Sequence, residues 1–301
     1  MPVFEIIFLI WPINFIDTKM EKIFGVVILY NPAADVINNI AGYLPFLDEL
    51  MIIDNSESAS KLDLSGCGDQ VTIVRDGINK GIAARLNQAA RYAIEKGAQW
   101  LLTMDQDSFF SGDYLKQYLK CLNAVSDKDK IAMCGVAFEL ASFTTDCSVL
   151  ATDNLITSGS MVNLDVFKTI GDFDEKLFID EVDFEYCARA VKNRFKTIQF
   201  KNIYLNHSLG TVSQHRSLKS LKKTARTLHS PQRLYYMLRN YLYVCDRYQA
   251  ECGETLKLKK TALLNRIKNN LLYGNNRVKI LRYLVMAVNH YKAGKMGKLS
   301  N

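Results

Sequence analysis

The sequence predicts an α/β fold: a mostly parallel, doubly wound sheet flanked by helices, with a C-terminal helical extension. Three observations carry that expectation. Between residues 24 and 105 short apolar runs alternate with amphipathic stretches, which is the pattern of βαβ units. Three of these runs stop at polar residues, Tyr30-Asn31, Asp54-Asn55 and Asp105-Gln106-Asp107, so one sheet edge is lined with hydrogen-bonding groups. Past residue 215 the alternation ends and apolar residues recur at helical spacing.

Taken in order, Phe4 to Ile16 is apolar but too short for a bilayer span, and Pro12 interrupts it. It lacks the basic start and small-residue cleavage site of a signal peptide. Met20-Glu21-Lys22 stands just before the first strand, so residues 1–21 are read as an N-terminal extension, with an interfacial anchor as the other reading. Phe24 to Tyr30 is a buried strand ended by Asn31-Pro32. A helix over 35–47 leads into a strand at Leu50–Ile53, and Val71–Val74 is a third short strand. Gly81 to Lys96 has helical spacing and is closed by Gly97. The strand from Trp100 to Asp105 follows, and Ile131 to Phe138 is a further one.

Ile156 to Val162 reads as a strand whose small residues admit a close backbone or ligand. A helix is expected to start at Asp180, an N-cap with Asp183 three residues on. Four acids in six residues, Asp180, Glu181, Asp183 and Glu185, exceed what a cap requires. Thr197–Phe200 is a short strand, and residues 206–210 form a loop. Three apolar stripes follow, with Leu234-Leu238-Leu242, Leu263-Ile267-Leu271 and Ile280-Leu284-Val288 as their repeats. They are expected to pack on the protein's own core, the competing use being an amphipathic membrane surface.

With 49% hydrophobic and 23% charged residues, the 301-residue chain can bury a substantial core. Seven cysteines without a Cys-x-x-Cys pair argue against a disulfide framework or structural zinc and for reduced thiols in the cytoplasm. The net charge of +7 conceals a division: from His215 onward 19 Lys+Arg face 3 Asp+Glu, leaving an acidic body. A basic tail of this kind meets something anionic or is a solvated helical face. The expected layout is an extension over 1–21, a catalytic domain over 22–214 and a basic helical region over 215–301. Nucleic acid is not an expected partner, because no aromatic-basic single-strand platform or zinc module is present.

Asp105 and Asp107 alternate on an extended backbone and so share a face. In an open α/β sheet ligands sit beyond the carboxyl ends of the strands. Two hard oxygen ligands there suit Mg²⁺ or Mn²⁺, which also takes phosphate oxygens. The other reading is a surface turn with two solvated acids.

Tyr30-Asn31, Asp54-Asn55-Ser56, Asn79-Lys80-Gly81-Ile82-Ala83, Asp105-Gln106-Asp107, Gly159-Ser160 and Phe178-Ile179-Asp180-Glu181-Val182-Asp183 occur in the order found in family 2 glycosyltransferases. The run from Leu228 to Asn240 resembles the bacterial rhamnosyltransferase subgroup. The resemblance implies a GT-A fold and metal-dependent, inverting transfer of a sugar from a nucleotide diphosphate sugar. The donor it implies is dTDP-rhamnose, with UDP-galactofuranose or another nucleotide hexose as the alternative. The acceptor it implies is a saccharide or a polyprenyl-diphosphate-linked saccharide of bacterial surface polysaccharide (O-antigen), reached by an enzyme peripheral to the inner face of the plasma membrane. A non-catalytic nucleotide- or polyanion-binding protein is the reading from another class.

Carried across, the resemblance implies that Asp54 accepts from the pyrimidine N–H, with Tyr30, Asn79 and Gly81 beside the nucleotide. Asp105 lies near ribose and metal, Asp107 binds the metal, and His207 completes the metal site. Arg233 and Arg239 contact the diphosphate or an acceptor phosphate, and Gly159, Ser160 and Asp183 serve the acceptor. The base position departs from the common Glu-Asp-x-Asp, leaving Asp180 as the favoured base and Glu181 as the reserve.

Overall fold

The computed structural model describes residues 21–58, 62–64, 67–138, 146–207, 212–216 and 223–300. The first run forms β1 (Ile23–Leu29), almost wholly buried, as a continuous apolar strand inside a sheet must be. Helix α1 (Val36–Tyr43) leads to β2 (Glu49–Asp54) and β3 (Val71–Arg75), and α2 (Ile82–Glu95) leads to β4 (Trp100–Asp105). β1 pairs in parallel with β2 and β4, and β2 with β3, so all four carboxyl ends emerge on one edge. Asp54 stands opposite Leu29 and Asp105 opposite Ile28, which brings the polar strand ends level.

Next come β5 (Ser108–Phe109), α3 (Tyr114–Ala124), β6 (Ile131–Ala137), β7 (Val149–Ala151) and β8 (Ser160–Asn163). After α4 (Leu164–Ile170) and α5 (Val182–Lys192), β9 (Lys196–Tyr204) closes the main sheet. Its order is β3-β2-β1-β4-β8-β6-β9-β7, with β8 and β7 antiparallel to their neighbours. One apolar core joins one face of this sheet to α2, α4 and α5, and a second joins the other face to α1 and α3.

Four local expectations are corrected. Of the 156–162 run only residues 160–162 are strand, as part of Ser160–Asn163, because residues 157–159 turn to bring Gly159 N onto the Thr103 carbonyl at 2.8 Å. Asn206–His207 is a short strand, β10, pairing antiparallel with β5. The region after 215 is not free of strands: β11 (Val212–Arg216) and β12 (Lys223–Thr227) form a hairpin across the expected 214/215 boundary. Finally, α5 starts at Val182, with Glu181 at the N-cap in a left-handed conformation and without a side-chain cap bond, so Asp180 caps nothing.

The C-terminal helices are α6 (Pro231–Tyr273), bent at Tyr248 and Cys252, and α7 (Arg277–Lys292). Ser230 caps α6 by accepting from Arg233 N at 3.1 Å, and Pro231 follows at the first helical position, where its missing N–H costs nothing. Leu234, Val244, Leu256, Leu263 and Ile280 enter the same core as α2 and α5, so the stripes do pack on the protein itself. The reduced-thiol expectation is corrected too, since Cys121 and Cys147 are disulfide-bonded. They are 26 residues apart with Cα atoms 5.2 Å apart, a proximity created by tertiary folding that cysteine spacing does not reveal. Among the described residues no helix is long and apolar enough to cross a membrane.

Candidate active site

At the strand-end edge the residue that does most of the connecting is Asn55. Its Nδ2 donates to Asn79 Oδ1 at 3.0 Å, while its Oδ1 accepts from Lys80 N and Arg85 Nε, both at 2.9 Å. Arg85 is fully buried, and its guanidinium also forks onto Asp76 at 2.5–3.0 Å. That hydrogen bonding holds the Asp76 carboxyl well below the usual carboxylate range. The 76–81 loop is therefore fixed from beneath. Asp54 is buried, and its Oδ1 accepts from Ser56 N at 3.1 Å, so Asn55 rather than Asp54 lines the cleft.

Gly81 opens α2 at φ +84°, where a Cβ would lie 2.4 Å from the Phe178 ring and 2.5 Å from its carbonyl oxygen. Ile82 N donates to that same carbonyl at 2.7 Å. Only glycine allows this approach, and through it the 76–81 loop is tied to the Phe178–Asp183 segment.

Asp105 and Asp107 are half-buried at the end of β4. Between them Gln106 accepts from Tyr30 N at 2.8 Å through Oε1, and its carbonyl accepts from Asn39 Nδ2 at 2.9 Å. Asp105 N donates to Ser158 Oγ, which in turn bonds Ser108 Oγ at 2.8 Å. The β5–β10 ladder sets the His207 backbone opposite Ser108, one residue from Asp107; its side chain lies outside the described residues. Among the described side chains no three His, Cys, Asp or Glu groups form a cluster. Two carboxylates on one strand end, with a histidine strand paired beside them, are a donor set that fits Mg²⁺ or Mn²⁺.

The Phe178–Asp183 segment is unusual in its backbone. Phe178, Asp180 and Glu181 all have φ between +63° and +65°, which a side chain disfavours by on the order of 1–2 kcal/mol each. Asn240 of α6 opposes that cost: its buried Nδ2 contacts the carbonyls of Leu177, Ile179 and Asp180 at 2.7–3.0 Å. Arg233 Nη2 donates to Asp180 Oδ1 at 2.8 Å, and its Nε lies 2.7 Å from Oδ2. Lys259 Nζ lies 2.9 Å from Glu181 Oε2. Burial pushes both carboxyls upward, Arg233 and Lys259 pull the other way, and Asp183 adds to the rise. Burial, with Arg266 and Arg233 nearby, lowers His229 and favours its neutral imidazole.

A cleft of about 620 Å³ joins the two sides. Tyr30, Asn79, Gly81 and Arg233 line it together with Asn55 and Phe178. Asp180 is attached to it through Arg233, and the 105–107 turn through the Tyr30–Gln106 bond. Asp183, in the first turn of α5, is half-buried and accepts from Phe184 N.

Two groups of expected ligand contacts are not where the resemblance put them. Arg239 is buried and away from the cleft lining, with its guanidinium bonded to Asn240 Oδ1, Tyr235 Oη and the Gly297 carbonyl. There it braces the helix. Ser160 is likewise buried, its hydroxyl donating to the Ile156 carbonyl at 2.5 Å, and Gly159 packs under Leu205 and Val136. Both support the β4 end instead of an acceptor. The residues missed from sequence, Asn55, Arg85, Asn240 and Lys259, act through contacts made after folding. Asn55 and Asn240 lay within motifs named above, Arg85 and Lys259 in none.

Among solved structures, that of S. aureus TarS 1-349 matches with a TM-score of 0.53 at 14% identity, covering 91% of this chain and 83% of that one. A structure of GalNAc-T7 with UDP, GalNAc and Mn²⁺ matches with a TM-score of 0.55 at 12% identity, covering 91% and 59%. The fold is accordingly of the GT-A type. The glycosyl transferase family 2 model matches residues 26–139. A dTDP-rhamnosyl transferase, RfbF of Shigella flexneri, is 30% identical over 242 residues, 73% of this chain and 78% of that protein. The chain belongs to glycosyl transferase family 2 and is a glycosyltransferase.

Proposed function

We propose that the chain transfers rhamnose from dTDP-rhamnose to a hydroxyl of a saccharide, inverting the anomeric configuration, with Asp180 as the base. The observation that carries this is Asp180 itself: a largely buried carboxylate, its side chain 13% exposed, with an upward-shifted pKa and gripped by an arginine that lines the cleft. A general base works best with a pKa near the operating pH, and burial moves Asp180 in that direction. Its carboxylate accepts the acceptor's proton as that oxygen attacks the anomeric carbon from the face opposite the nucleotide. Arg233 holds the carboxylate oriented and ionised. Glu181, engaged by Lys259, is the reserve base, and Asp183 faces the acceptor side. Base assistance of this kind contributes about 10²- to 10⁴-fold.

Tyr30 and Asn79 flank the nucleotide beside Asn55, and the buried Asp54 next to it is the acceptor assigned to the pyrimidine N–H. Asp105, Asp107 and His207 would hold Mg²⁺ or Mn²⁺, which supplies Lewis-acid stabilisation of charge on the leaving diphosphate. The choice of rhamnose is supported by the similarity to RfbF. Incubating the protein with Mn²⁺, a saccharide acceptor and a donor panel, while following nucleoside diphosphate release, tests it. Turnover with dTDP-rhamnose is expected; turnover confined to UDP-galactofuranose or another hexose donor would change the sugar. Salt-sensitive oligonucleotide binding with no transfer would sink the enzyme reading.

The acceptor in this proposal is a polyprenyl-diphosphate-linked saccharide of surface polysaccharide, met at the inner face of the plasma membrane. From residue 255 onward there are 11 Lys+Arg and no Asp or Glu. Along α7, Val278, Leu281 and Val285 are more than half exposed beside exposed Arg277, Lys279 and Arg282. A face of that composition suits an anionic lipid surface. Equal sedimentation with anionic and with zwitterionic vesicles would argue against it.

A further inference from the structure

Beyond α7 the chain turns back towards the cleft instead of leaving the molecule. Gly297 N donates to the Lys176 carbonyl at 2.6 Å, and the Gly297 carbonyl accepts from buried Arg239 at 2.9 Å. Leu299 N donates to the Tyr236 hydroxyl at 2.7 Å, and the Tyr236 ring stacks on Phe178 at 5.3 Å. These anchors bring the residue between them, Lys298, to the cleft rim. Its Nζ donates to the Asn79 carbonyl at 3.2 Å and lies 3.4 Å from Glu57 Oε1. Glu57 also accepts from Asn79 Nδ2 at 3.2 Å, and both Lys298 and Leu299 line the cleft with Tyr30 and Gly81.

An exposed Lys–Glu pair adds little to stability, so the ion pair does not by itself account for this placement. The anchors beneath it are backbone groups held by a buried arginine and a stacked tyrosine, and they fix position without engaging the ammonium. A half-exposed ammonium beside Asn79 can exchange the Glu57 carboxylate for another oxygen acceptor without moving its backbone. The cleft's ligand, on the reading above, carries such oxygens and negative charge.

We infer that Lys298 and Leu299 form part of one wall of the donor site and that Lys298 positions the donor, its ammonium meeting an oxygen of the nucleoside diphosphate. The inference rests on the nucleotide-sugar reading of the cleft. It assigns a part of the site to a segment some 220 residues beyond Asn79.

Calorimetric titration of dTDP in the presence of Mn²⁺ tests it with the full chain, Lys298→Ala, Lys298→Arg and a chain ended after Gly297. Lys298→Ala is expected to weaken dTDP binding about five- to tenfold, as loss of a charge-assisted contact does. The shortened chain should lose at least as much, and Lys298→Arg should stay within about twofold of wild type. The donor KM should rise in proportion in Lys298→Ala with kcat nearly unchanged, and thermal melting of that surface variant should match wild type. Wild-type dTDP affinity in Lys298→Ala would overturn the inference, as would a loss of kcat at unchanged dTDP affinity. If the full chain itself binds neither dTDP nor UDP, the nucleotide reading of the cleft fails and takes the inference with it.

Discussion

The strand-end side of the cleft and the Phe178–Glu181 segment that shares it reach their geometry by different routes. On the first side, parallel pairing of β1, β2 and β4 brings Tyr30, Asn55 and Asp105 to one edge, and each lies within a residue or two of a strand end. Little beyond the sheet is needed to put them there. On the second side, three non-glycine residues within four positions adopt left-handed backbone. They are kept there by Arg233, Asn240 and Lys259, which come from a helix more than 50 residues further on. The comparison teaches that the strand-end edge is a product of sheet topology, whereas the geometry of the Phe178–Glu181 segment is a product of docking α6. Strain concentrated at a site whose surroundings over-determine it is a common mark of functional geometry.

That contrast can be broken by substitution. Asp107→Ala removes a carboxylate from the sheet-built side and should lower transfer by about 10²- to 10⁴-fold, the worth of several kcal/mol of Lewis-acid stabilisation. Its melting temperature should barely move, because the side chain is half-buried in a turn and not in either core. Undiminished turnover with Mn²⁺ and donor would remove the 105–107 turn from the chemistry.

Asn240→Ala should behave in the opposite way, costing both stability and rate. Three carbonyl contacts vanish from a strained loop, so urea unfolding should register a loss of about 2–4 kcal/mol. Transfer should fall roughly 10- to 100-fold, the scale on which misplaced catalytic groups lose rate, while dTDP affinity stays close to wild type. A variant as active as wild type would mean that the loop holds itself.

The smallest expected effect sharpens the electrostatics. Burial raises Asp180 and Arg233 opposes the rise, so Arg233→Gln should lift the base further. A base must be deprotonated to act, so the acid limb of kcat/KM moves to higher pH, and activity at low pH is lost first. An acid limb at the wild-type position would show that the two groups do not communicate.

Much of the strand-end side was legible in the sequence. Apolar runs ended by Asn31, Asp54 and Asp105 gave the parallel order and the edge, because buried strands and their polar ends are local signals. Tyr30, Asn79 and Gly81 were singled out by their place in an ordered set of motifs, and they line one cleft. The other side was legible as a cluster of acids inside one of the same ordered motifs, but its backbone was not. Reading Asp180 as an N-cap followed from its spacing, but the left-handed turn at 180–181 delays the helix to Val182. Arg239 was taken for a ligand contact because an arginine in such a motif has the right charge. Its burial beneath Tyr235, Tyr236 and Gly297 depends on tertiary packing that no periodicity encodes. The burial of Ser160 depends on packing in the same way, and the Cys121–Cys147 pairing was invisible to cysteine spacing.

The central claim is that Asp180 takes the acceptor's proton while the donor site works independently of it. Single-turnover nucleoside diphosphate release and dTDP binding, compared between Asp180→Asn and Glu181→Gln, address it most directly. The account expects Asp180→Asn to bind dTDP as wild type does and to transfer about 10²- to 10⁴-fold more slowly, with Glu181→Gln retaining most activity. Wild-type transfer by Asp180→Asn, with loss in Glu181→Gln, would contradict it and move the base one residue along the chain.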